Sequence, residues 1–328
     1  MIQVLDGGLS TTIQDLGRPG YYHVGIPLSG AADIEACTIA NWLVRNEADA
    51  AVLEGTLLGP KLQFHADTAI AVTGADVEVK VNDTVHPMWE QLKIKKGDVV
   101  SFGYPKKGAR IYIAVAGGID APLVLGSRST YLAGGIGGLS GRRLKEGDSL
   151  STVQQQGAPT AATHGAPAEQ LRDGSSPTLL RVVSGLFSYR LTDRSLDAFY
   201  NDEWKVTNES DRMGYRFSGG RKIEFAPRPI PPFGAGSDPS NIVDAGYPYG
   251  SIQIPGGIEP IILHRDAVSG GGYATIGAVI SADMDKIAQL QPNAKVRFQM
   301  VSMEEALEAR KARKHRLDTL RDHIKRPV

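Results

Sequence analysis

Between Lys61 and Ala116 the apolar residues recur at every second position. "KLQFHADTAIAVTGADVEVKVND", "QLKIKKGDVVSF" and "ARIYIAVAGG" all alternate in this way, and the pattern breaks at Gly, Asn-Asp or Lys-Lys-Gly. Side chains on a strand alternate between two faces, so the pattern specifies short strands joined by tight turns. Thirty-eight glycines and 19 prolines carry the same turn chemistry along the rest of the chain. Such a chain does not suit a regular alternation of strand and helix. The fold class it predicts is mainly β (α+β), with a few short helices.

Three stretches carry a helical period. "SGAADIEACTIANWLVRN" has Asp33 or Ser29 as a cap and Ala36, Ile39, Ala40 and Leu43 at helical spacing. "SADMDKIAQLQP" has Ser281 as a cap, Asp283 and Asp285 in its first turn and Pro292 at its end. "SMEEALEARKARKHRLDTLRDHIKRPV" gives the longest signal, opened by a Ser302/Glu305 capping box. Its basic excess reads as a solvated helix on the surface or on another subunit.

A chain of 328 residues exceeds the usual size of one domain. The Gln/Ala/Gly/Pro/Ser-rich segment 154–177 lacks periodicity and suits a linker. The expected organisation is therefore a β domain at 1–153, a linker at 154–177, a second β domain at 178–301 and a helix at 302–328. The halves also echo each other. "GRPGYYHVGIPLSG" (17–30) matches "DRMGYRFSGG" (211–220), and "LKIKKGDVVSF" (92–102) matches "LQPNAKVRF" (290–298). These echoes read as a duplicated β-barrel unit.

Several classes of chemistry are unsupported. Thirty-six acidic residues balance 36 basic ones, which argues against nucleic acid or an anionic membrane as a partner. A single cysteine, Cys37, gives no intramolecular disulfide. Without a leader pattern or an 18-residue apolar run, a soluble cytoplasmic protein is expected. No Walker-type loop is present, Ser140 spoils the dinucleotide pattern that would begin at Gly135, and no G-x-S-x-G elbow occurs. The seven histidines show no metal-ligand spacing. The chain is expected to bind neither ATP nor a metal by itself.

Polar groups cluster in four places. In "IILHRDAVSGGGYATIG" (261–277), a strand running to residue 266 would point His264 and Asp266 to one face and Arg265 to the other. A carboxylate beside an imidazole suits a general acid or base, and the glycines that follow would offer close backbone approach or N–H donors. A surface ion pair at a strand end would leave the same trace. "ESDRMGYRFSG" offers Asp211 and Arg212, and "TTIQDLGRPGY" offers Gln14, Asp15 and Arg18. Either arginine could bind a carboxylate or close a barrel. Gln253 in "GSIQIPGG" is either a member of a core network or a reader of a substrate amide.

Taken together, "TIQDLGRPGYYHVGIPLSGAAD", "LGSRST…GRRLKEGD", "SDRMGYRFSG" and "GSIQIP…EPIILHRD…GGY" resemble the family of the 5-oxoprolinase C subunit and the KipI antagonist. That family is also called allophanate hydrolase subunit 2 or the biotin-dependent carboxyltransferase family. The resemblance covers roughly residues 1–301 and leaves the tail outside. It implies two cyclophilin-like β-barrel domains and a KipI-like partner, the B component of 5-oxoprolinase, with a LamB/YcsF-type A component completing the enzyme. Gln14, Asp15, Gly17, Arg18, Ser210, Asp211, Arg212, Gly214, Gln253, Pro255, Asp266, Gly271, Gly272 and Tyr273 match its motifs. His264 stands at a position that varies in the family, which moves the expected acid–base role to Asp266.

The candidate catalytic residues are Asp266, Arg212 and Asp211, which the resemblance implies, and His264, which rests on its place beside Asp266 in the sequence. Gln253, Gly271, Gly272, Tyr273, Asp15 and Arg18 are then the candidate substrate contacts. Two departures touch the presumed pocket. Val268, Ser269 and Gly270 replace the family's Gln-Thr-Thr, and segment 226–249 is long and rich in proline. Three functions follow as expectations. The first is a component of an ATP-dependent 5-oxoprolinase that is inactive alone, with ATP bound elsewhere in the complex. The second is half of a urea-type carboxyltransferase that receives carboxybiotin from a separate carrier. The third is a non-catalytic antagonist of a KipI-like kinase inhibitor.

Overall fold

The computed structural model describes residues 1–153, 163–167, 176–228 and 230–326. The expected linker therefore falls largely outside the described residues. Among those described are twenty-one strands and four helices: α1 (Ile34–Leu43), α2 (Asp193–Asn201), α3 (Met284–Ala288) and α4 (Met303–Lys325). The chain forms two compact units. One comprises Met1–Arg18, Ser29–Asp173 and Lys314–Val328, and the other Pro19–Leu28 and Gly174–Arg313. Residues 19–28 thus group with the second half of the chain, and α4 is divided between the units after Arg313.

In the first unit all strand pairs are antiparallel and fall into two sheets. A seven-stranded sheet runs in the order Ile119–Asp120, Ser149–Thr152, Ile2–Asp6, Lys61–Phe64, Val99–Phe102, Val79–Val81, Thr84–His86. A five-stranded sheet runs Thr11–Gln14, Val52–Thr56, Lys107–Val115, Thr68–Asp76, Gln91–Ile94. The period-two pattern fixes which side chains go where. Ile70, Val72, Ile111 and Ile113 join the core with Ile2, Leu62 and Val100 of the seven-stranded sheet. Their neighbours Ala69, Ala71, Tyr112 and Ala114 pack on the other face with Ile39, Leu43, Leu320 and Ile324 from α1 and α4. Both faces are covered, so "ARIYIAV" is apolar at almost every position, and the period-two pattern expected for this stretch is incomplete there.

The second unit is a closed barrel. Its order is Thr178–Ser184, Thr275–Val279, Ser251–Gln253, Ile261–Leu263, Gly214–Ser218, Trp204–Val206, Lys295–Met300. A parallel pairing of Thr178–Ser184 with Lys295–Met300 closes it, with Leu180 opposite Phe298. Closure leaves no free sheet edge. Leu180, Phe199, Trp204, Phe217, Ile252, Ile262, Ile276 and Phe298 fill the interior. A separate two-stranded ribbon, Asn241–Gly246 with Gly270–Tyr273, leaves the barrel wall.

The mainly β expectation holds, with these corrections. Helix α2, which the sequence pattern does not announce, is capped by the Thr192 hydroxyl accepting from the Ser195 N–H at 3.2 Å. Helix α3 is preceded by Asp283 rather than capped by Ser281, and the Asp283 carboxylate turns instead to Arg181 and Lys286. The 17–30 and 211–220 echo joins unlike structures. Tyr22–Val24 is a 3-10 turn, whereas Gly214–Ser218 is a barrel strand. The α1 cap and the α4 capping box do form. Asp33 accepts from the Ala36 N–H at 3.0 Å. The Ser302 N–H donates to Glu305 at 2.7 Å, and the Glu305 N–H to Ser302 at 3.2 Å.

Candidate functional site

The strand predicted to reach residue 266 stops at Leu263. The ladder hydrogen bonds continue past it, because the His264 N–H donates to the Met213 carbonyl at 3.0 Å and the Asp266 N–H to the Arg212 carbonyl at 2.9 Å. The chain meanwhile turns, and the Ala267 N–H closes back on the His264 carbonyl at 3.1 Å. Side chains on a turn do not alternate, so the expected imidazole–carboxylate dyad is replaced by separate partnerships. Asp266 is held by Arg212, whose Nε and Nη2 reach its two oxygens at 2.8 and 3.0 Å. Both side chains are largely buried, a geometry in which the bidentate fork fixes orientation as well as charge.

His264 is fully buried, its Nε2 3.4 Å from the Tyr249 hydroxyl and 3.5 Å from the Met284 carbonyl. The rings of Tyr215 and Tyr249 each lie 5.4 Å from it. It is a core residue of the barrel end rather than a solvent-facing base. Burial pushes the Tyr249 phenol up, against an opposing pull from Arg265.

Arg265 is the residue that the sequence pattern gives no reason to single out. It is only 6% exposed, and its guanidinium carbon stands 4.8 Å from the Tyr249 ring centroid. Its Nε is buried and has no hydrogen-bond partner among the described residues. A stacked ring compensates a buried cation by about 2 kcal/mol, and an unmet buried donor costs about 1–3 kcal/mol. Burial also raises the Tyr22 phenol, with Arg265 opposing, so Tyr22 lies within electrostatic reach of the same charge. The Ser269 hydroxyl donates to the Tyr22 carbonyl at 3.1 Å, which ties Tyr22 to the segment that departs from the family pattern.

A second group gathers around Tyr247. Its hydroxyl donates to the Tyr273 carbonyl and accepts from the Tyr273 N–H, both at 2.7 Å, and the buried Gln253 amide lies beside it and opposes the rise of its phenol. Burial is the main reason its phenol is raised. Gly271 lies under this ring: a Cβ there would stand 3.1 Å from the ring edge, which explains the glycine by packing. Gly272 faces the Ile242 and Val243 carbonyls across the ribbon, and Tyr273 is half-exposed. Ile261, Leu263 and Ala267 pack with Tyr247 and so join this group to the 264–267 turn. Asp211 lies just before the barrel strand Gly214–Ser218, where its carboxylate accepts from the Met213 and Gly214 N–H groups at 2.7 and 3.2 Å.

The remaining two predicted residues, Asp15 and Arg18, belong to the first unit. Asp15 accepts from the Gly17 N–H at 2.8 Å, the Ser127 hydroxyl at 2.6 Å, the Arg128 N–H at 2.6 Å and the Ser129 hydroxyl. Arg18 donates to the Ser129 and Val124 carbonyls. Both therefore fasten the loop 124–130. Within the second unit the structure brings together Arg212, His264 and Asp266, with Arg265, Tyr22 and Tyr249, and sets Gln253, Gly271 and Tyr273 around Tyr247. Among the described residues no group of His, Cys, Asp and Glu could hold a metal ion, and no helix is long and apolar enough to cross a membrane.

A family model described as carboxyltransferase domain, subdomain A and B, matches residues 24–300. The chain is 36% identical over 310 residues to the C subunit of 5-oxoprolinase from Escherichia coli (strain K12), covering 94% of each. It is 32% identical over 335 residues to urea amidolyase of Lachancea kluyveri, covering 98% of this chain but 18% of that enzyme. The crystal structure of the K. lactis urea amidolyase superposes with a TM-score of 0.90 at 36% identity, over 97% of this chain and 20% of that one. The chain thus spans about a fifth of these fungal enzymes.

Proposed function

The chain belongs to the carboxyltransferase domain family, subdomains A and B, and on that footing we propose that it is the C component of an ATP-dependent 5-oxoprolinase-type enzyme. The observation that carries this reading is the match to the 5-oxoprolinase C subunit over 94% of that protein's length. In this reading the chain binds a small cyclic amide in its second unit, with a KipI-like B component and a LamB/YcsF-type A component as partners. ATP is bound outside this chain, and the chain is inactive alone.

The roles follow from the geometry. Arg212 and Asp266 neutralise each other, so they act as positioning residues that hold the 264–267 turn in place. Gln253 and Tyr247 supply the amide and hydroxyl groups suited to a lactam, while Tyr273 and the glycine ribbon carry Tyr247. The experiment is to mix the purified chain with the A and B components and assay ATP-dependent glutamate release from 5-oxoproline. Turnover requiring all three supports the reading, and no turnover with all three removes it.

A second reading is the carboxyltransferase half of a urea carboxylase-type enzyme. The observation in its favour is the TM-score of 0.90 to the K. lactis urea amidolyase. A buried cation such as Arg265 fits an anionic carboxyl group carried on biotin, which would supply the carbon for transfer. Transfer of labelled carboxylate from a biotinylated carrier to urea, without glutamate release from 5-oxoproline, would select this reading over the first.

A further inference from the structure

Among the described residues, three carboxylates are buried in the second unit, and each is already committed to an arginine. Asp266 is held by Arg212, Asp283 by Arg181 at 2.7 Å, and Asp285 by Arg313. Arg265 stands outside this pattern: among the described residues it has no carboxylate partner, and its buried Nε meets no acceptor. The Tyr249 ring behind it weakens the cost of an isolated charge without supplying an acceptor. A buried guanidinium presented from a turn that the neighbouring ion pair fastens is preorganised for an anion that the chain itself does not provide.

We propose that Arg265, backed by the Tyr249 ring, is the docking point for the carboxylate of a small-molecule substrate. The geometry narrows the class. With 6% of the residue exposed, only a small anion gains access, and a planar guanidinium edge matches a planar carboxylate. This moves carboxylate recognition away from Arg212 and Arg18, whose donors serve Asp266 and the 124–130 loop. Ser269 contributes by fixing the Tyr22 backbone. The identity of the carboxylate as 5-oxoproline rests on the proposed function, whereas the existence of the site does not.

The test uses the full chain, its thermal midpoint, and four probes: 5-oxoproline, oxalate, inorganic phosphate and 2-pyrrolidinone, which is the same ring without the carboxylate. Both carboxylates are expected to raise the wild-type midpoint in a concentration-dependent way, and 2-pyrrolidinone and phosphate are not. Arg265→Gln is expected to raise the half-saturating carboxylate concentration at least tenfold, with Arg265→Lys intermediate. Unliganded Arg265→Gln is expected to melt at or above the wild type, because an uncompensated buried charge is gone, so a lost response is not a lost fold. The site is refuted if Arg265→Gln responds like the wild type, if phosphate outperforms the carboxylates, or if the wild type responds to neither carboxylate. Arg265-dependent binding of oxalate but not 5-oxoproline would sink the 5-oxoprolinase reading and leave the site standing. Equal binding of 5-oxoproline by the wild type and Arg265→Gln would do the reverse.

Discussion

Arg212 and Asp266 lie 54 residues apart in sequence, yet two guanidinium nitrogens of one meet both carboxylate oxygens of the other. The pair sits where the strands Gly214–Ser218 and Ile261–Leu263 run out, and each side chain is largely buried. Its consequence is mechanical: the turn between His264 and Ala267 has a fixed shape, and Arg265 is presented from it.

Breaking that pair leaves one buried charge without its counterpart. Asp266→Asn is expected to lower the unfolding free energy by about 3 kcal/mol, the usual cost of halving a buried ion pair. Replacing both partners with apolar residues is expected to recover much of that loss. Urea unfolding of the two single variants and the double variant measures the coupling, and additive losses would show that the pair does not act as a unit.

The Tyr247 hydroxyl is the acceptor for the Tyr273 N–H. Tyr247→Phe keeps the ring over Gly271 and removes only that acceptor and donor. Amide exchange at Tyr273 is expected to accelerate at least tenfold, corresponding to about 1.4 kcal/mol of local protection. Gly271→Ala tests the same contact from below, and is expected to destabilise because its Cβ would press on the Tyr247 ring.

Acid stability should depend on Asp283. Burial alone would raise its carboxyl, but the bonds from Arg181 and Lys286 outweigh burial and hold it below the ordinary carboxylate value. A depressed folded value means stability that is present above about pH 4 and is lost as pH falls through the folded value. Asp283→Asn is therefore expected to be clearly less stable than wild type at pH 7. The gap should narrow as pH drops below about 4, and urea midpoints at both pH values measure it. A gap that stays constant would contradict the assignment.

At the start of α4, Ser302→Ala removes one arm of the capping box and is expected to cost about 1 kcal/mol. Ser302→Asp, which keeps an acceptor at the cap, should retain most of the wild-type stability, as read from thermal midpoints.

Much of this architecture is legible in the chain. Alternation in residues 61–116 identifies strands, and in Lys107–Val115 it also sorts Ile111 and Ile113 from Tyr112 and Ala114. Capping chemistry at Asp33 and Ser302 is local, and so it is readable. Helix α2 escapes notice because it is only nine residues long and mostly polar, with Asp193, Arg194, Asp197 and Asn201 among them. The site is harder for a different reason. Nothing local says that Asp266 will be claimed by Arg212, so alternation assigns it to His264. With Asp266 misassigned, Arg265 looks like a residue on the idle face. A buried arginine without a counter-charge is a property of the folded unit, and only the accounting of partners reveals it.

If substrate enters through its carboxylate onto Arg265, steady-state kinetics of the reconstituted three-component enzyme, wild type against Arg265→Gln, must register it. The expected result is a KM for 5-oxoproline at least tenfold higher, with kcat changed far less. An unchanged KM in an active Arg265→Gln enzyme would contradict carboxylate docking at this arginine.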